Sequence, residues 1–436
     1  MLSSFRSAHG SLPCGIEYGL LPLPERRVVS FQFRVFGGMA AEPHDKLGLA
    51  KLVEETIDKG TAKRTGRELS DAFDALGASC GSGTGRETVT FVCTVLPEYF
   101  EQAVALQAEF LTTPTFPSDV VEVNVDLARQ ELLALEDDAH AITEKLIDRQ
   151  AFGPILGRHA LGEKECFDRI ATEDLVSYWK QCFAGGRTLA AFAGPLEESH
   201  VRDVLQQTFE GFGRPEPAGR AAHPLQFLAH RTHHAKDLQQ QQVAVCFPGV
   251  DVTHEDFPTQ QVMLSILSGG MSGRLFTEVR EKQGLVYWVS AWQETPRGHG
   301  MIFLGASTTP ERCDRTFETL LREVDRLAED IDDDELDRAI TGLVASQETR
   351  GDATRARCSE VASDLFFFGR PVSPDEKLAK IRSVTRARIM DYLDKYPRDR
   401  LSVVTLGPRP LTDDPKARAV VESADCRGPT SGGLRG

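Results

Sequence analysis

Two overlapping glycine-rich segments have patterns that, in the right structural setting, carry chemistry. Gly77–Gly81 has the G-x-S-x-G spacing of a hydrolase nucleophile elbow, which needs a strand before the serine and a helix after it. Gly81–Gly85 has the glycine density of a dinucleotide-binding loop, which follows a strand. Hydropathy places a helix before these segments and a strand after them, so we interpret both as a glycine-rich connection.

A third candidate is a histidine cluster formed by His230, His233 and His234. Imidazoles three and four residues apart on a helix can share a metal ion. The neighbours Arg231 and Lys236 are cationic, and no cysteine or carboxylate is closely grouped with the histidines. We therefore predict a solvated loop here, and whether it binds anything stays open.

A fourth candidate combines one ammonium group with two carboxylates. Lys51, Glu54 and Glu55 are spaced so that both glutamates lie on the same helical face as the lysine. Taken alone, this pattern is typical of an ordinary solvated helix face.

Composition excludes several classes of function. The net charge is −15 and there is no basic patch, so we expect no nucleic-acid partner. No apolar run approaches the roughly 20 residues of a membrane span, and Met1–Gly10 lacks the apolar core of a secretory signal. The nine cysteines are scattered, without a C-x-x-C pair, which favours buried free thiols over a disulfide framework. We expect a cytoplasmic protein.

The elements that must position these residues alternate between strands and helices. Residues 28–36 and 88–95 alternate in hydropathy as strands do, and 47–57 and 68–76 have helical periodicity, the latter closed by Gly77. Further helices are predicted around the apolar stripe of 317–327 and after the three aspartates at 332–334, whose charges suit a helix N-terminus.

The order of elements repeats along the chain. Thr172 opens a predicted helix whose following strand ends at Gly194, and Thr385 opens one whose strand ends at Gly407. In both cases the glycine follows the threonine by 22 residues, and the offset of 213 is close to half the chain. This repetition indicates a duplication, although coincidence between two ordinary α+β segments is the alternative.

Pro- and Gly-rich segments suggest the domain boundaries. We predict an N-terminal domain at 1–212, a linker at 213–235, a C-terminal domain at 236–408 and a partly disordered tail at 409–436.

The first half resembles the inverted-motif zinc peptidases of the pitrilysin/insulinase family, which includes mitochondrial processing peptidase. The resemblance rests on Gly48–Thr61, which follows the family pattern Gly-Leu-Ala-His-x-x-Glu-His-x-x-x-Lys-Gly-Thr except that both histidines are missing. By this resemblance, Lys51 and Glu55 occupy the two histidine positions and Glu54 the general-base position. The segment beginning Arg129-Gln-Glu131 is similar to the one that bears the third zinc ligand, so Glu131 maps to that ligand.

The second half is similar to the glycine loop and the following helix of the family's second domain. Arg280 and Tyr287 both lie downstream of this loop. They match an Arg and a Tyr that reach the substrate near the zinc in active members of the family. An Arg can bind a peptide carbonyl and a Tyr hydroxyl can stabilise an oxyanion. The matching glycine loop consists of Gly269, Gly270, Met271, Ser272 and Gly273.

The resemblance implies an α+β fold of two homologous domains, each a mostly antiparallel sheet flanked by helices, together forming half of a clam-like peptidase. It implies the non-metal subunit of a heterodimeric zinc endopeptidase that cleaves extended peptides. This chain would hold no cofactor and be inactive alone, and a homologous subunit with H-x-x-E-H would hold the zinc.

Two alternatives remain open from the sequence. One is an inactive scaffold subunit like the peptidase-derived core proteins of respiratory complexes, and the other is a module that binds peptides without cleaving them. A scaffold has no need of the Arg280 and Tyr287 pair. The sequence selects neither the peptide nor the partner.

Overall fold

Two β-sheets flanked by helices organise the chain in this computed structural model, which describes residues 7–184, 187–213 and 222–412. The strands are β1 (Ala8–Ser11), β2 (Glu17–Pro22), β3 (Val29–Phe36), β4 (Ser79–Thr84), β5 (Thr88–Val95), β6 (Thr188–Gly194), β7 (Arg231–Ala235), β8 (Gln241–Gly249), β9 (Val286–Glu294), β10 (Gly300–Thr308) and β11 (Ser402–Gly407). The α-helices are α1 (Leu49–Thr56), α2 (Gly66–Ala75), α3 (Phe100–Thr112), α4 (Ser118–Leu135), α5 (Ala139–Leu156), α6 (Lys164–Phe167), α7 (Thr172–Trp179), α8 (Glu198–Thr208), α9 (Phe257–Ser268), α10 (Cys313–Arg326), α11 (Asp333–Arg350), α12 (Thr354–Phe368), α13 (Pro374–Arg382) and α14 (Arg386–Lys395). Lys180–Ala184 and Phe276–Lys282 are π-helical.

The first sheet has the strand order β1-β2-β6-β3-β5-β4, with only the β2–β6 pair parallel. The alternating pattern of 28–36 and 88–95 forms the neighbouring strands β3 and β5, as predicted. Phe31 and Phe33 of β3 are fully buried and pack against Phe192 of β6 at ring distances of 6.2 and 6.5 Å. These aromatic contacts form part of the apolar core between the first sheet and the helices that pack on it.

The second sheet repeats the arrangement of the first. Its order is β7-β11-β8-β10-β9, which matches β2-β6-β3-β5-β4 strand for strand, and its one parallel pair, β7–β11, corresponds to β2–β6. The expected α+β fold of two homologous domains with mostly antiparallel sheets is therefore confirmed. Gly194 and Gly407 end equivalent strands with φ of 144° and 150°, which suits glycine.

The helices α7 and α14, which the sequence repeat predicts, do not start at equivalent positions: relative to the repeat, α14 starts one residue later than α7. Thr172 is the first residue of α7, whereas Thr385 precedes α14 and caps it, its hydroxyl accepting the Arg388 N–H at 3.3 Å. The helix at 68–76 also begins earlier than expected, because Thr65 and Glu68 form a capping box ahead of α2. Gly77, at φ 60°, closes that helix as predicted.

Contacts within the chain define two compact units, and each contains a helix from the other half of the sequence. The first unit comprises Met1–Asp137, Arg158–His223 and Ala345–Leu378, and the second comprises Asp138–Gly157, Pro224–Val344 and Ala379–Gly436. Helix α12 thus packs on β2, β3 and β6 of the first sheet, and α5 packs on β8 and β11 of the second. The domain boundaries drawn from the sequence do not anticipate this exchange and remain a prediction.

Helix α12 covers its sheet through a separate apolar cluster. Val361 and Leu365 meet the sheet at Gly19, where a methyl group would lie 2.9 Å from either side chain. The strand therefore needs a residue without a side chain at this crossing. The buried members of the cluster are Leu21, Leu189, Ala191, Ala193, Cys358, Val361, Ala362, Leu365 and Phe366.

Two of the loop assignments were wrong. His233 and His234 belong to strand β7, which pairs in parallel with β11, and the carbonyl of His230 accepts the Val403 N–H at 2.9 Å. The segment is a strand because β11 offers backbone groups to pair with, and a terminal strand tolerates polar side chains. Likewise Ser79–Thr84, expected to be a connection, is the terminal strand β4.

The described cysteines are free thiols, as expected: six are buried, Cys14 is half-buried and Cys80 is exposed. Cys426, residues 214–221 of the predicted linker and most of the predicted tail lie outside the described residues. Within the described part of the chain, no helix is both long and apolar enough to cross a membrane.

A buried carboxyl group fixes the start of α1. One oxygen of Glu42 accepts the backbone N–H groups of Gly48 and Ala50 at 3.1 and 2.9 Å, at the end of the helix where such groups lack intrahelical partners. The guanidinium of Arg158 donates to the carbonyls of Met39 and Glu42. Burial raises the pKa of Glu42 to about 8, although the backbone donors and Arg158 oppose the shift.

Replacing Leu365 by Ala tests the packing of α12. Leu365 is 1% exposed, so Leu365→Ala should leave a cavity and lower the free energy of unfolding by about 2–5 kcal/mol. The matched control is Leu133→Ala on α4, where the side chain is 52% exposed and the loss should stay within about 0.5 kcal/mol. Urea unfolding followed by circular dichroism measures both. Equal losses would contradict the assigned packing.

The raised pKa of Glu42 predicts a pH dependence of stability. Between the ordinary pKa of 4.5 and about 8, Glu42 is protonated in the folded chain but ionised in the unfolded chain. Its contribution to stability is therefore complete below pH 4.5 and is lost as pH rises through about 8. In that window the contribution should fall by up to about 1.4 kcal/mol per pH unit. Glu42→Gln should flatten this slope in urea titrations at pH 5.5, 7 and 8.5, whereas the exposed control Glu98→Gln should retain it.

Candidate functional site

The first unit brings together four of the site residues predicted from the sequence. Lys51, Glu54 and Glu55 lie on α1, and Glu131 lies on α4, which packs against α1. The Lys51 ammonium donates to Glu55 and lies 3.8 Å from a carboxylate oxygen of Glu131. One cation is thus held between carboxylates from two helices.

The charges around Lys51 keep its ammonium protonated. Partial burial lowers its pKa, but the hydrogen bond and charge of Glu55 and the charges of Glu131 and Glu54 raise it, and the net pKa lies above its ordinary value. Lys51 therefore neutralises part of the acidic cluster at neutral pH.

Glu54, at the general-base position, is engaged by hydroxyl groups of the terminal strand β4. Ser82 donates to one carboxylate oxygen, and Thr84 donates to the other at 3.0 Å. The sequence analysis did not identify either hydroxyl. Ser82 and Thr84 are two residues apart, a spacing that puts both side chains on one face of a strand, but the glycine-rich pattern of this segment predicts a connection.

The donor set of this cluster does not fit zinc. Structural and catalytic zinc sites use neutral imidazoles, thiolates and carboxylates, whereas here the Lys51 ammonium forms ion pairs with Glu55 and Glu131, at the positions that the family resemblance predicts for ligands. Among the described residues, no three His, Cys, Asp or Glu side chains are grouped to hold a metal ion. No hydrolytic step through a metal follows from this chain's own residues.

The second unit brings Arg280 and Tyr287 into direct contact. Arg280 lies in the π-helix Phe276–Lys282, and its guanidinium carbon is 5.5 Å from the ring centre of Tyr287 and 5.0 Å from that of Phe276. Such cation–π contacts at exposed sites contribute about 0.5–1 kcal/mol, so they favour an arrangement in which the two side chains lie next to each other. Within the described residues Arg280 forms no ion pair, so its hydrogen-bond donors remain available to a ligand.

A β-bulge directs Tyr287 outward. In the β9–β10 pair, Ser307 is opposite Trp288 and Thr308 is opposite Val286, which leaves Tyr287 as the extra residue. Its side chain is 75% exposed although it lies in a strand. The family resemblance predicts a functional pair of Arg280 and Tyr287, and the bulge accounts for the exposure of Tyr287.

The glycine loop follows α9 and ends at a buried anchor. Gly270 has a φ of 102°, and Met271 is 77% exposed at the tip. Gly273 is packed so closely that a methyl group would lie 2.9 Å from the carbonyl of Leu267. Gly269 and Ser272 complete the predicted loop.

The anchor is Arg274, which the sequence analysis also missed. Its guanidinium is 6% exposed and forms ion pairs with Asp330 at 2.8 Å and Glu335 at 2.7 Å. Breaking a buried pair of this kind leaves an uncompensated charge, so the loop base is strongly held. The loop therefore has a fixed base and an exposed tip.

Comparisons with known proteins match two consecutive stretches of the chain to two family models. Residues 23–163 match the insulinase model of peptidase family M16, and residues 169–343 match the model described as the peptidase M16 inactive domain. An uncharacterized zinc protease of Streptomyces coelicolor is 27% identical over 417 residues, which covers 91% of this chain and 89% of that protein. A probable mitochondrial-processing peptidase subunit beta of Arabidopsis thaliana is 23% identical, with coverage of 94% and 80%.

Solved structures share the fold. A peptidase M16 inactive domain from Pseudomonas fluorescens superposes with a TM-score of 0.85 at 19% identity and covers 94% of this chain and 99% of its own. A protease from Helicobacter pylori gives a TM-score of 0.82 at 14% identity, with coverage of 92% and 99%. The duplicated sheets, the sequence frame around Lys51 and the two consecutive family matches agree, and this chain belongs to the peptidase M16 family.

Proposed function

We propose that this chain is the non-metal subunit of a heterodimeric zinc endopeptidase whose zinc is held by a homologous partner carrying H-x-x-E-H. The observation that carries the proposal is the contrast between the two units. The first has an ion-paired lysine at a ligand position, whereas the second presents Arg280 and Tyr287 in contact with each other and exposed.

The chemistry of the pair suits a peptide bond under attack. The guanidinium of Arg280 can donate to a peptide carbonyl or carboxylate, and the Tyr287 hydroxyl can donate to an oxygen that gains negative charge. Their mutual contact means that both donors are positioned before substrate arrives, which lowers the entropic cost of ordering them.

The sheet edges support an extended peptide as the substrate. Among the strands of the described residues, β4 ends the first sheet and β9 ends the second, so each has backbone groups without a strand partner on one side. An extended peptide can pair with such an edge through main-chain hydrogen bonds. Tyr287 lies on β9 itself, so a peptide on that edge would pass beside it.

The names of the relatives agree with a peptidase setting. Several are called zinc proteases, one is named as a subunit of mitochondrial-processing peptidase, and the model matched by residues 169–343 describes an inactive domain. A scaffold role is the alternative, but it gives no reason for an exposed Arg280 and Tyr287.

The catalytic role of the pair is tested in the assembled heterodimer. The chain should be co-expressed with the homologue from its own genome that carries H-x-x-E-H. Arg280→Ala and Tyr287→Phe should each lower kcat/KM for a peptide by about 100-fold, the order of effect for a lost oxyanion donor. Size-exclusion chromatography should show both complexes intact, and the chain alone should cleave nothing.

The matched control is Arg322→Ala on α10, another exposed arginine of the second unit, which should retain full activity. Full activity in both test variants would contradict the catalytic role of the pair. A stable complex that cleaves no peptide would favour the scaffold.

The degenerate metal site is tested by restoring its ligands. Lys51→His combined with Glu55→His supplies two imidazoles four residues apart beside Glu131, so the double variant should bind one zinc ion per chain, measured by calorimetry and metal analysis. Adding Glu131→Gln should weaken the affinity at least about tenfold. The unmodified chain should bind no stoichiometric zinc, and its doing so would contradict the assignment.

A further inference from the structure

Two cysteines face each other across the edge of the first sheet. Cys80 of β4 is paired directly with Cys93 of β5, and their sulfur atoms are 3.6 Å apart. Opposed residues in antiparallel strands have Cα atoms about 4.5–5.5 Å apart, within the range of about 4.4–6.8 Å that a disulfide spans. A small side-chain rotation would bring the sulfurs to the covalent distance of about 2.05 Å.

The two thiols differ in exposure. Cys80 is exposed on the terminal strand, whereas Cys93 is fully buried beneath it. A reagent from solvent can reach Cys80, and Cys93 is then the nearest group to react with the modified sulfur. Among the described residues, no other two cysteine sulfurs are in contact.

Local charges and hydrogen bonds make Cys80 the more acidic thiol. The hydrogen bond between Cys80 and Cys93 lowers the pKa of Cys80, and the charge of Arg355 on α12 also lowers it, against the opposing effects of burial, Asp58 and Asp74. The same contact with Cys80, together with burial, raises the pKa of Cys93. The thiolate that reacts first is therefore the exposed one.

We propose that Cys80 and Cys93 form a reversible redox pair that closes to a disulfide when the chain meets a peroxide. The Cys80 thiolate attacks one peroxide oxygen, the O–O bond breaks, and hydroxide leaves, which gives a sulfenic acid. The Cys93 sulfur then attacks the Cys80 sulfur, and the S–O bond breaks as the hydroxyl leaves with the Cys93 proton as water. Two thiols and hydrogen peroxide give one disulfide and two waters, and a dithiol reductant reverses the reaction by exchange.

The disulfide would fasten a weak edge strand. Strand β4 has the sequence Ser-Cys-Gly-Ser-Gly-Thr, and its two glycines contribute no side-chain packing. The same strand presents Ser82 and Thr84 to Glu54. A covalent link to β5 would therefore restrain the hydroxyls that engage the acidic cluster. The redox pair requires neither the partner subunit nor peptidase activity.

The test treats the full-length chain with stoichiometric hydrogen peroxide, blocks residual thiols and maps the products by peptide mass spectrometry. The expected product is one Cys80–Cys93 disulfide, reversed by dithiothreitol. Amide hydrogen exchange in β4 should slow on oxidation. In Cys93→Ala, Cys80 should stop at the sulfenic acid or over-oxidise, and exchange in β4 should not slow.

Cys14→Ser is the matched control, since Cys14 is a half-buried thiol with no sulfur neighbour among the described residues, and it should behave as the unmodified chain. Oxidation of Cys80 to higher acids while Cys93 stays a thiol in the unmodified chain would overturn the proposal. Pairing of Cys80 with any other cysteine would overturn it as well.

Discussion

Burial of the sheet faces is the constraint on which the rest of this structure depends. The second face of each sheet is covered by a helix drawn from the opposite half of the sequence, α12 for the first sheet and α5 for the second. Because a sheet face left in water loses its hydrophobic stabilisation, neither sequence half completes its core by itself. The duplicated halves are thus joined by an exchange of elements.

The acidic cluster shows how the side chains present decide the chemistry available to a site. In a zinc site, carboxylates and imidazoles share a divalent ion, but here an ammonium from Lys51 lies among the carboxylates and is stabilised in its charged form by them. The ion pairs preserve the packing of α1 against α4. The cluster keeps its electrostatic balance without a metal ligand set.

Sheet edges place the reactive groups of both units. The bulge in β9 exposes Tyr287 beside Arg280. Strand β4 carries the exposed Cys80 and the two hydroxyl groups that donate to Glu54. Terminal strands offer unpaired backbone on one side, and their side chains are reachable from solvent. The proposed peptide binding and the proposed thiol oxidation therefore concern the same kind of position in the fold.

Much of this molecule was determined by its sequence alone: the strands at Phe31 and Cys93, the helix that carries Lys51, and the duplication. These follow from periodicity and from short motifs, which are local. The tertiary structure decided that α12 belongs to the first sheet, that His233 and Ser82 lie in edge strands, that Glu42 and Arg274 anchor α1 and the glycine loop, and that Cys80 faces Cys93. Each of these depends on which strand or helix becomes a neighbour. Such choices are set by the burial of distant residues, for which a local pattern holds no information.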